Sequence, residues 1–98
     1  MKMRGAYLIQ KERERQIEEE GYTDEHDLNH NIDDFVKAAI SYAIVDLDKE
    51  KGGDYGYAWW PWEEIYWKPK DRKRNLVRAG ALIAAAIDRL ENEELEIQ

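Results

Sequence analysis

No cysteine occurs among the 98 residues, and there are only two prolines, one phenylalanine and one serine. Without thiols the chain can build neither a disulfide framework nor a thiolate zinc site. The single serine, Ser41, lies inside an apolar helical pattern, a poor setting for a nucleophile. No Gly-x-x-x-x-Gly-Lys phosphate loop and no Gly-x-Ser-x-Gly elbow is present. Long hydrophobic runs are missing too. The longest candidate, Ala79 to Ile87, is mostly small residues and falls short of the ~18 needed to cross a bilayer. The basic start Met1-Lys2-Met3-Arg4-Gly5 leads almost at once into the charged stretch Lys11 to Glu20, with no apolar centre of a signal peptide. A cytoplasmic location with no membrane partner is expected.

What is present is charge, unevenly placed. The net charge is -7, which argues against a duplex DNA partner, because a basic face supplies most of that affinity. Glu18 to Asp34 holds eight acids and no lysine or arginine. Lys68 to Arg78 holds Lys68, Lys70, Arg72, Lys73, Arg74 and Arg78 against one acid, Asp71. A concentrated basic patch on an acidic chain suits a small anion, or an acidic patch on a partner subunit.

The periodicity reads as all-α, a single domain over residues 1–98. The expected architecture is a compact bundle of three main helices, about 6–20, 32–47 and 71–92, plus a short helix near 62–66. At this length the core is modest, so assembly as a homo-oligomer is expected. The first helix is rich in Glu, Lys, Arg and Gln and poor in apolar residues. Asn31 or Asp33 can cap the second, in which Phe35, Val36, Ala39, Ile40, Ala43, Ile44 and Leu47 recur at helical spacing. Gly52-Gly53 and Gly56 mark a turn. Asp71 is the expected cap of the last helix. There Leu76, Gly80, Ile83, Ile87 and Leu90 follow at intervals of four, three, four and three, a heptad-like seam. A glycine inside a helix costs roughly 0.5–1 kcal/mol relative to alanine, so a helix crossing closely at Gly80, Ala81 and Ala84 is expected. Glu91 to Gln98 reads as a frayed acidic end.

The basic turn is the most informative feature. Helix N-termini favour acids and disfavour bases, yet Arg72, Lys73 and Arg74 follow the cap directly. Free amides and these side chains would form a phosphate-binding corner. All four tryptophans fall within the nine residues 59–67 just before it. Aromatic faces stack on bases at roughly 1–3 kcal/mol each. The candidate ligand-binding set is therefore Trp60, Trp62, Trp67, Lys68, Lys70, Arg72, Lys73 and Arg74. Arg13, Gln16 and His26 could complete it from the first helix, the following loop or a second subunit. The competing reading is structural, with the tryptophans filling the core and the arginines pairing with the acidic stretch. A second cluster, Glu20, Glu25, His26 and Asp27, could hold Mg²⁺ or Mn²⁺. It approaches the metal-binding arrays of HD-type phosphohydrolases and MazG-type nucleotide pyrophosphohydrolases without matching either, and a solvated acidic loop, with His26 or Asp27 capping or bridging to an arginine, is the better explanation.

Several strings together resemble a family of small tailed-phage and prophage proteins of unassigned function. They are Glu12-Arg13-x-Arg15-Gln16-Ile17, Glu20-Gly21-Tyr22-Thr23-x-Glu25-His26-Asp27, Trp60-Pro61-Trp62, and Trp67-Lys68-Pro69-Lys70-Asp71-Arg72-Lys73-Arg74-Asn75-Leu76-Val77. Asp33-Asp34-Phe35-Val36 departs from the Gly-Glu-Leu-like start common in relatives. The resemblance implies a phage protein that binds a host factor in the host cytoplasm. Sequestration of a nucleotide messenger of host immunity, an anti-defence role, is one form of this. The alternatives are a metal-dependent nucleotide hydrolase and an adaptor that blocks a host protein.

Overall fold

Small residues decide how the helices of this chain meet. A computed structural model describes residues 1–19, 31–48 and 55–97. Among these there is no strand. The main helices are α1, Arg4–Glu19, α2, Ile32–Asp48, and α4, Arg72–Ile97. The short α3, Tyr55–Ala58, and a 3-10 turn at Glu64–Tyr66 lie between α2 and α4. Both α1 and α2 lie against α4, and α3 lies against α2. No described helix is long and apolar enough to cross a membrane.

The start of α2 follows local rules. Asn31 accepts the Asp34 amide on its side-chain oxygen at 2.8 Å, and Asp33 and Asp34 place acids in the first turn. Both features favour a helix beginning there. The core lies between α2 and α4, where Phe35, Ala38, Ala39 and Tyr42 pack with Ala79, Leu82, Ala85 and Ala86. Four of those eight side chains on α4 and α2 are alanines of adjacent pairs, which lets the two backbones approach while Phe35, Tyr42 and Leu82 fill the remaining volume.

This corrects the expected seam of α4. Leu76, Ile83, Ile87 and Leu90 are 47, 40, 53 and 46% exposed and do not form the core. The alanine face turns inward instead, because small side chains allow a closer helix pair. The one seam member used as expected is Gly80. A β-carbon there would stand 2.5 Å from Ile9 Cδ1 and 2.8 Å from Ile9 Cγ1, so α1 crosses α4 at the glycine.

Boundaries differ in three places. α4 runs on to Ile97, where a frayed end was expected. Glu, Leu and Arg are good helix formers, and Arg89 pairs with Glu93 one turn on at 3.1 Å. The short helix expected near 62–66 is a single 3-10 turn. α3 forms at Gly56, where the glycines point to a turn. Gly56 is needed for close approach, since a β-carbon there would stand 3.0 Å from both the Ser41 carbonyl oxygen and Val45 Cβ.

Candidate functional site

The turn leading into α4 is held from inside by side chains of α2. Asn75 is fully buried. Its oxygen accepts the Lys70 amide at 2.6 Å, and its nitrogen donates to the Lys70 carbonyl at 3.0 Å and to Asp46 at 2.9 Å. The Tyr42 hydroxyl accepts the Lys68 amide at 3.1 Å, and Arg78 donates to the Lys68 carbonyl at 2.7 Å. Asp71 caps the helix as its position suggests, accepting the Arg74 amide at 2.7 Å. One of the helix's first amides is thereby used within the chain.

Among the basic residues, the set divides. Lys68, Lys70, Arg72 and Lys73 are exposed. Arg74 turns inward to Glu12 of α1, which also takes two bonds from Arg15, at 2.8 and 2.7 Å. Glu12 is only 2% exposed. Burial pushes its carboxyl up, but the hydrogen bonds and charge of Arg15, joined by those of Arg74, more than reverse this and hold it below the ordinary value of 4.5. Arg74 is thus an anchor between α4 and α1. Arg13 reaches Asp88 at 3.0 Å, well along α4 from the basic turn. Gln16 is buried on the same helix as Glu12, one turn on.

Trp60, Trp62 and Trp67 each keep part of their surface while packing against the core cluster. Trp62 meets Phe35 edge-on at 5.7 Å, and Trp60 meets Tyr42 and Trp62 edge-on at 5.4 and 5.2 Å. The Trp67 indole N–H donates to Ser41 Oγ at 2.8 Å, and the Ser41 hydroxyl donates to the Gly56 carbonyl. Ser41 is therefore a fully buried relay that ties α3 and the tryptophan segment to α2. The more exposed rings nearby are Trp59 and Tyr66.

Sequence reasoning missed Glu12, Asn75 and Tyr42. The signal for Glu12 was weak but present: an acid with Arg15 three residues on, in a helix so poor in apolar residues that polar side chains, Glu12 and Gln16, are the ones it buries. His26 and the metal candidates Glu20, Glu25, His26 and Asp27 lie outside the described residues. Among the described residues no group of His, Asp and Glu is placed to hold a metal ion. No protein-family model, curated protein or solved structure matches this chain.

Proposed function

We propose that this protein binds a small phosphate-bearing anion, nucleotide-like and linear or cyclic, without chemistry on it. In this reading it is a phage-encoded sequestering protein of the host cytoplasm and works as a homo-oligomer. One observation carries the reading. Four exposed cations, Lys68, Lys70, Arg72 and Lys73, surround one turn, and their side chains have no hydrogen-bond or ion-pair partner among the described residues. Helix stability opposes cations at that end, and among the described residues the fold engages Arg74 and Arg78 of the basic cluster but not these four. A phosphate would relieve the mutual repulsion and gain charge-assisted hydrogen bonds. Trp60, Trp62 and Trp67 keep ring surface on which a base could stack.

The test is calorimetric titration with linear and cyclic nucleotides. Micromolar binding is expected, weakened roughly tenfold or more by Lys68→Ala with Lys70→Ala and Lys73→Ala, since each charge-assisted bond contributes over 1 kcal/mol. Arg74→Ala is a poor probe, because it strips Glu12 of a partner. No binding at that level, or binding indifferent to the triple variant, defeats the proposal. Recovery of intact ligand after denaturation distinguishes sequestration from Mg²⁺- or Mn²⁺-dependent hydrolysis.

A further inference from the structure

The outward face of α4 carries four large apolar side chains that the folded chain leaves near half exposed. Leu76, Ile83, Ile87 and Leu90 stand on one stripe, at intervals of seven, four and three. Side chains at such spacing line one side of a helix. Apolar residues scattered singly over a surface need no explanation, but a stripe repeated over 15 residues is the pattern one helix presents to another.

Charge says which helix. Arg72 lies one turn before Leu76, with Lys73 beside it. Glu91 lies one turn after Ile87, and Glu94 one turn after Leu90. All four are exposed, and none has a side-chain partner among the described residues. The neighbouring charges are already matched within the chain: Arg74 with Glu12, Asp88 with Arg13, and Glu93 with Arg89. What remains along the stripe is a basic start and an acidic end. Such a helix is complementary to itself, and only when the second copy runs the opposite way.

We infer that two copies of this chain pair through an antiparallel α4–α4 contact along Leu76, Ile83, Ile87 and Leu90. Facing residues in an antiparallel pair have numbers that sum to a constant. One register sets Arg72 opposite Glu91 and, at the same time, Leu76 opposite Ile87 and Ile83 opposite Gly80, where Ile9 is seated. Its two-fold axis passes between Ala81 and Leu82. The Leu76–Ile87 and Arg72–Glu91 pairs are satisfied together, twice each, as a symmetric interface requires, and Leu90 falls opposite Lys73, whose aliphatic stem can cover it. This deepens the oligomeric part of the function proposed above; of the four cations offered to the anion, Arg72 and Lys73 lie at this contact and Lys68 and Lys70 do not. Lys68, Lys70 and Lys73, removed together to test anion binding, leave the four stripe residues in place.

The chain's lack of cysteine makes the test direct. Sedimentation should give twice the 11.6 kDa chain mass for the wild type, and the chain mass for Ile83→Glu with Ile87→Glu at unchanged helix content. Arg72→Glu should weaken the dimer roughly tenfold, and adding Glu91→Arg should restore it. With a short bis-maleimide, Ile83→Cys should cross-link to its own copy. Leu90→Cys should not, because that register sets the two positions roughly 25 Å apart along the helices. A wild-type monomer at roughly 100 µM, far above a typical specific dissociation constant, overturns the inference. So does equal cross-linking at both positions, the mark of a parallel pair. Loss of the dimer with nucleotide binding intact, or the reverse, separates this proposal from the preceding one.

Discussion

On the inward side of α4, Leu82, Ala85 and Ala86 pack with the alanines and aromatics of α2, Asn75 bonds Asp46, and Arg74 bonds Glu12. On the outward side, Leu76, Ile83, Ile87 and Leu90 remain near half exposed, with cations before them and acids after them that have no side-chain partner among the described residues. The two sides invert the usual expectation, since the smaller residues are buried and the larger ones are not. The comparison teaches that side-chain size alone does not locate a core. Where two helices approach closely, alanine is the better core residue, and a Leu/Ile stripe on the opposite side remains to be accounted for by something other than folding.

The largest way to break the inward side is through Glu12. Glu12→Ala removes the carboxylate that joins Arg15 and Arg74, and breaking a buried pair costs about 3–5 kcal/mol when one charge is stranded. Here the arginines keep some access to water, so about 3 kcal/mol is expected by chemical denaturation. The same group gives a pH dependence. The folded carboxyl titrates below its ordinary value of 4.5, so its contribution is present above that value. It is lost as pH falls from about there through the lower folded pKa. Wild-type stability should therefore drop between neutral and acid pH by more than that of Glu12→Gln. Parallel pH profiles for the two proteins would mean the Arg74–Glu12 contact does not hold α1 to α4.

A smaller effect comes from enlarging an inward alanine. Ala85 is fully buried in the α2–α4 core. Ala85→Leu adds a branched side chain where the neighbours leave no room, and overpacking of this kind costs typically 1–3 kcal/mol. Thermal unfolding reads it directly. A chain that accepts leucine at no cost would place the tight interface elsewhere.

Much of this architecture was legible in the sequence, and the reasons differ by element. The start of α2 was clear because Asn31, Asp33 and Asp34 act locally, on amides within one turn. The cap at Asp71 was clear for the same reason. The Gly80 crossing followed from a cost, a glycine in a helix that something had to justify. The buried face of α4 was misread because heptad spacing identifies a stripe without saying what covers it. The division of the basic cluster was hidden too. Arg74 looks like its neighbours Arg72 and Lys73 until α1, some sixty residues away in sequence, brings Glu12 to it. Asn75 gave little signal, since its bond to Asp46 exists only once α2 lies beside the turn. Whether the remaining cations hold an anion depends on a partner that no intrachain pattern encodes.

Gly80 lies where the two sides of α4 meet, and it gives the finest test of the comparison. Replacing glycine by alanine inside a helix should stabilise by roughly 0.5–1 kcal/mol. The new methyl group, however, would enter the space taken by Ile9 Cδ1 and Cγ1, closer than carbon atoms tolerate. Because Ile9 is only half-buried, its side chain can turn aside, at the loss of its packing on α4. The two terms nearly cancel, with Gly80→Ala expected to destabilise by less than about 1 kcal/mol. The sign should change in a chain that already carries Ile9→Ala, where the methyl group meets no side chain and only the helical gain remains. That reversal in a double-mutant cycle is the signature of direct contact. If Gly80→Ala stabilises both backgrounds equally, α1 does not seat on the glycine, and the outward stripe would extend unbroken through position 80.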